Sequence, residues 1–163
     1  MAMSEAGLID TRRAGGIDRA VEFGPAELPR LAAEALALPG GFGIRLVGVR
    51  SPRGLPGLAL SVSGQVRMTC QRCMQPVDIE LRSSARFELV ERLAADVQDD
   101  DETWEKLEHS DRLDLRQLAE DELLLALPYA PKHDSCTPSG RLEAGEKTSP
   151  FAALAMLRSS PRR

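Results

Sequence analysis

Cysteine and histidine are scarce in this chain, with three and two copies among 163 residues. The scarcity excludes several classes of protein. An odd number of cysteines does not build a secreted disulfide scaffold, and Met1 to Gly16 has no apolar run of the kind a secretory leader carries. No apolar stretch approaches the roughly 18 to 20 residues that a membrane-spanning helix requires. The expected location is therefore the cytoplasm, with no membrane partner. With so few histidines, no nuclease or thiol-oxidoreductase constellation assembles: His109 sits beside an acid run with no recognisable partner. No catalytic residue and no small-molecule substrate are expected.

What is present is enough chain for one domain with a real core, since 42% of the residues are apolar. Its organising stretch is Met68 to Pro76, MTCQRCMQP, where Cys70 and Cys73 stand in the Cys-x-x-Cys spacing that lets two thiolates converge on one metal ion or close a redox ring. Val66, Met68 and Cys70 alternate with polar residues before the motif, and Val77, Ile79 and Leu81 do so after it. Period two on both sides predicts the tip of a β-hairpin.

Charge is unevenly placed. Between Ile44 and Phe87 seven arginines face two acids, whereas Asp96, Asp99, Asp100, Asp101, Glu102 and Glu105 crowd one short run further on. Arginines around the hairpin, chiefly Arg67, Arg72 and Arg82, could neutralise phosphates; the bland alternative is a solvated face whose arginines pair with that acid run.

From the start, residues 1–16 read as a flexible arm or a short edge strand, and 17–136 as a single domain. Asp18 to Phe23 reads as a strand. Pro25 opens a helix whose Leu28, Leu31, Ala32, Ala35 and Leu36 line one face until Pro39. Strands follow at Ile44 to Val49 and Leu58 to Val62, with a turn at Gly64 before Val66, then the hairpin and a last alternation at Ala85, Phe87 and Leu89. The acid-rich 94–110 reads as a mobile or partner-facing loop, with Trp104 anchoring it on the core. Asp114 and Gln117 form a capping-box pattern for a helix over 114–126, whose Glu120, Asp121 and Glu122 read as a solvated acidic flank. A linker over 137–148, a C-terminal helix over 149–158 and a basic tail over 159–163 complete the chain. The fold expected is α+β: an antiparallel meander of five or six strands packed with three helices.

After that second helix, LPYAPKHDSC delivers His133 and Cys136. Cys70, Cys73, His133 and Cys136 together make a Cys₃His set of the kind that holds one structural zinc ion. Two alternatives stand beside it: a reversible Cys70 to Cys73 disulfide and plain packing of buried thiols. The redox reading is weakened because Met74, Gln75 and Pro76 lead into another strand and not into a helix whose N-terminus would activate a thiol.

Three segments in order, CQRCMQPVDIEL, DLRQLAEDELLLALPYAPKHDSC and SPFAALAMLR, resemble the YceD-like family of bacterial large ribosomal RNA subunit accumulation proteins, over about Asp18 to Arg158. The resemblance implies a role in synthesis, processing or stability of large-subunit ribosomal RNA and carries over no catalytic residue. Combined with the arginine-rich hairpin, it predicts a non-enzymatic ribosome-biogenesis factor that binds ribosomal RNA or the pre-ribosomal large subunit. The competing expectation is an adaptor for a ribosomal protein or a processing nuclease, with a thiol redox protein third.

Overall fold

The computed structural model describes residues 7–92 and 103–138. In chain order these form β1 (Leu8–Ile9), a 3₁₀ turn over Thr11–Gly16, β2 (Asp18–Phe23), a second 3₁₀ turn over Pro25–Glu27, α1 (Pro29–Glu34), β3 (Phe42–Arg50), β4 (Pro56–Thr69), β5 (Pro76–Val90), β6 (Glu105–Glu108), β7 (Leu113–Asp114) and α2 (Leu115–Leu125). Strands β2 to β5 pair with their neighbours in antiparallel order, β6 joins β5 in parallel, and β1 pairs with β7 as a separate ribbon. The architecture is α+β as expected, but the antiparallel meander is confined to β2 to β5, with β6 added in parallel and β1–β7 a separate ribbon. No helix among the described residues is long and apolar enough to cross a membrane.

Alternation explains why β4 and β5 are so long. In β4 the even-numbered Leu58, Leu60, Val62 and Val66 are buried. In β5 the odd-numbered Val77, Leu81, Ala85, Phe87 and Leu89 are buried. Because the parity never slips, one inner face runs the whole length of both strands, and shifting register by one residue would turn every one of these side chains to water. The turn expected at Gly64 is absent: β4 runs straight through it. Gly64 is there for space. A Cβ at that position would lie 2.1 Å from Cδ1 of the buried Phe42 ring.

α1 is shorter than the periodicity suggests. Pro29 restarts the chain after the Pro25–Glu27 turn, and helical geometry ends at Glu34. Beyond it Leu36 and Ala37 leave the helix and bond the main chain of Arg67 in β4, which leaves Leu36 exposed instead of lining an inner stripe. α1 has no cap of its own on Leu28. Its free N–H groups at Arg30 and Leu31 are taken by Glu120 Oε1, at 2.7 and 3.1 Å, reaching across from α2. Glu120 is therefore buried, and the solvated acidic flank read from the sequence does not hold for it. Asp114 does cap α2, accepting from the N–H groups of Arg116 and Gln117.

Two stretches read as mobile are partly built into the body. Within the expected arm, Ile9, Thr11 and Ala14 are buried, and the backbone of Thr11 bonds Ser110. Within the expected loop 94–110, Glu105–Glu108 is a strand on β5, and half-buried Trp104 lies over Gly57. The acids at 96–102 and the expected helix at 149–158, with most of the linker and the basic tail, lie outside the described residues.

Candidate metal centre

β4 and β5 are joined by a tip of six residues between paired Thr69 and Pro76. Main-chain bonds shape it into a knuckle: Met74 N–H donates to the Cys70 carbonyl at 2.9 Å and Arg72 N–H to Cys70 Sγ at 3.4 Å. Closing so tight a turn forces Met74 to φ +59°, a left-handed conformation that side chains other than Asn and Asp seldom adopt. Both thiols then point to the inside of the tip, buried with Val77.

The chain returns to this tip after α2. Gln71 N–H donates to the Pro131 carbonyl at 2.8 Å, which sets the loop in place. His133 and Cys136 are thereby brought onto the two tip cysteines. The four ligand atoms of Cys70, Cys73, His133 and Cys136 all lie within 4.8 Å of one another, and the group could hold a metal ion. All three cysteines are free thiols.

The spacing fits a tetrahedral site. Cys70 Sγ and Cys136 Sγ are 3.7 Å apart, and two sulfurs bound tetrahedrally at about 2.3 Å stand about 3.8 Å apart. Cys73 Sγ is 3.3 Å from His133 Nδ1, while His133 Nε2–H donates to the Pro76 carbonyl at 3.0 Å. That outer bond fixes the ring with Nδ1 turned inward as the ligand. Burial by itself pushes the Cys70 thiol up, but the N–H groups of Cys73, His133 and Arg72, with the Cys73 thiol, outweigh it and bring Cys70 down to about 5. A thiolate is thus ready for a cation. Cys136 goes the other way, raised first by burial and then by the sulfurs of Cys70 and Cys73, which is the repulsion a bound cation would relieve.

The three arginines singled out from the sequence do not share one place. Arg72 belongs to the tip and donates to the Cys136 carbonyl at 3.3 Å. Arg67 and Arg82 stand on the outer face of the sheet, opposite the core, each matched by a carboxylate. Arg67 makes a two-bond fork to Asp78 at 2.6 and 2.8 Å, holding that carboxyl below its usual range, and Arg82 pairs with Glu80. Among the described residues, these arginines pair with neighbours on the sheet. The same face carries Arg45, paired with Asp18, and Arg86, by their parity along β3 and β5. Sequence reasoning counted these two among the seven arginines without singling them out, although their parity along β3 and β5 was the signal. Gly43, Ser61 and Ser63 floor an open concavity of about 1190 Å³ between Arg45 and Arg82.

The fold and the site define a small α+β domain in which a long β-hairpin and a returning loop are tied at the hairpin tip by a Cys₃His group. The chain belongs to the YceD family: residues 58–158 match the family described as Large ribosomal RNA subunit accumulation protein YceD. A relative of that name from Haemophilus influenzae (strain ATCC 51907 / DSM 11121 / KW20 / Rd) is 31% identical over 145 residues, covering 81% of this chain and 82% of the relative. No solved structure matches the chain.

Proposed function

We propose that this protein is a non-enzymatic cytoplasmic factor that supports accumulation of large-subunit ribosomal RNA by binding RNA or a pre-ribosomal particle. The observation that carries the reading is the division of labour between tip and sheet. In a tetrahedral site four protein ligands leave no open position for substrate, so a zinc ion held by Cys70, Cys73, His133 and Cys136 is structural and contributes folding energy, not catalysis. It would hold the loop after α2 against the hairpin. The outer sheet face is left as the working surface, with Arg67 and Arg82 on it and Arg72 beside it at the tip. Among the described residues no Phe, Tyr or Trp lines its concavity, which favours phosphate and sugar contacts over base stacking and so positions the protein without reading sequence.

One observation favours a second reading. Arg45, Arg67 and Arg82 are each neutralised by a neighbouring carboxylate, and a mixed face of that kind also suits a ribosomal protein or a processing nuclease. The experiment that separates them is capture of partners before and after ribonuclease treatment, coupled to RNA titration at several salt concentrations. Replacing Arg67, Arg72 and Arg82 together with Ala is expected to weaken RNA association and to flatten its salt dependence, by close to one unit of slope for each phosphate that is no longer neutralised. Unchanged RNA binding, with partners that survive ribonuclease, would replace the RNA reading with the adaptor.

A further inference from the structure

The loop that returns from α2 is anchored on both sides of Tyr129. Before it, Leu127 is half-buried and packs against the main core; after it, Pro131 is buried and its carbonyl accepts from Gln71 N–H at the hairpin tip. Two residues further on, His133 begins the group that ties the loop to Cys70 and Cys73. Tyr129 itself is 103% exposed. A tyrosine ring covers apolar surface wherever the fold offers it some, so a ring held wholly in water has no part in the core. Pro128 and Pro131 fix the chain around it, and a side chain displayed on a fixed segment loses little freedom when it meets a partner.

The tip beside this ring differs from the sheet in its charges. On the outer face Arg45, Arg67 and Arg82 are each matched by a carboxylate. At the tip Arg72 gives one N–H to the Cys136 carbonyl and Lys132 is exposed, and among the described residues neither has a carboxylate partner. Asp78 and Glu80, which share a hollow with Lys132, are already held by Arg67 and Arg82, and Asp134 is the one acid left there. Thr69 to Pro76 contains no acid. Chain connection keeps the groups together: Tyr129 and Lys132 flank Ala130 and Pro131, and Pro131 is bonded to the neighbour of Arg72. Of the described apolar side chains, Met74 is the exposed one on the tip, far short of the roughly 1,000 Å² that a specific protein interface buries. A nucleic-acid base needs less, because it brings its own flat face to the ring and its phosphates to the cations.

We propose that the tied hairpin tip is a site for single-stranded RNA, in which Tyr129 stacks against one base while Lys132 and Arg72 neutralise the adjoining phosphates. The inference rests on the RNA reading given above and narrows it: the RNA that lies on the arginine-bearing face continues onto the tip, and there it is unpaired, because a base inside a duplex does not offer its face to a side chain. Stacking accepts any base, so the site adds affinity and selects single strands without reading sequence. The tie made by Cys70, Cys73, His133 and Cys136 sets the geometry of the contact, since it holds the loop that carries the ring against the knuckle that carries Arg72.

The test titrates the full chain with labelled oligouridine and with an abasic ribose-phosphate strand of the same length, at several salt concentrations. The abasic strand keeps the charge and removes the bases. The intact protein is expected to bind oligouridine about tenfold more tightly than the abasic strand. Tyr129→Ala is expected to erase that difference while leaving the salt slope, metal content and melting temperature unchanged, and Tyr129→Phe to preserve it. Lys132→Ala is expected to flatten the salt slope by about 0.7 unit. Oligouridine bound equally by the intact protein and by Tyr129→Ala would overturn the stacking site and leave the RNA reading standing, whereas an intact protein that binds neither strand would overturn both. Equal affinity of the intact protein for the two strands would reduce the contact to charge and overturn the proposal. A ribonuclease-resistant partner lost from Tyr129→Ala, with RNA binding unchanged, would give the ring to a protein instead.

Discussion

The behaviour of single residues is decided at the hairpin tip. Cys70 is the thiol on which the main chain converges, and its value near 5 lies below the ordinary 9.0. An acid whose folded-state pKa is depressed adds stability that grows between its folded and unfolded values and is present in full above the unfolded one. Its contribution in the metal-free protein is therefore absent below about pH 5 and grows as the pH rises toward 9. Metal-free protein is expected to gain thiolate absorbance and melting temperature as the pH climbs through about 5, and Cys70→Ser to lose both steps. A first thiolate step only above neutrality would contradict the geometry. Cys136 is raised and needs a cation to ionise alongside its neighbours. Protein purified without added zinc is accordingly expected to carry one metal per chain, and Cys136→Ser to carry none; equal metal in both would remove Cys136 from the ligand set. The ligand types and their count were legible in the sequence. Their convergence was not, because no local pattern shows that Pro131 will bond Gln71 across about 60 residues of chain. Nor does a sequence announce that Met74, an ordinary side chain, will be held at positive φ by the knuckle.

Among the secondary-structure elements, period-two patterning located β3, β4 and β5 because each buries one face continuously, and the capping pattern at Asp114 located α2. Patterning failed where a non-local partner decided the outcome. α1 ends early because Leu36 and Ala37 find Arg67, and β6 forms on an acid-rich segment because β5 offers an edge. Gly64 shows the same limit. A glycine between two alternating runs reads as a turn, but here it clears room for the Phe42 ring, and a methyl group placed there would overlap buried carbon. Gly64→Ala is expected to cost about 1–3 kcal/mol of stability by denaturant titration, the range for overpacking a close-packed site. A variant as stable as the parent would mean that the ring moves aside freely and that the turn reading had the better explanation of the glycine.

In the whole molecule, two cross-chain ties join elements far apart in sequence: Glu120 of α2 caps α1, and the Cys₃His group fastens the loop after α2 to the tip of β4 and β5. Both ties lie away from the outer face of the sheet, which keeps its arginines. The family resemblance was legible only as an ordered set of segments, and it supplies a process. The surface we propose for that process is the outer face of the sheet. The measurement that bears most directly on the account is the ratio of large- to small-subunit ribosomal RNA in cells whose only copy of the protein carries Arg67→Ala, Arg72→Ala and Arg82→Ala, with metal content checked on the purified variant. The account predicts a folded, metal-loaded variant and a fall in large-subunit RNA toward the level of cells lacking the protein. A folded, metal-loaded variant that sustains the full ratio would contradict it.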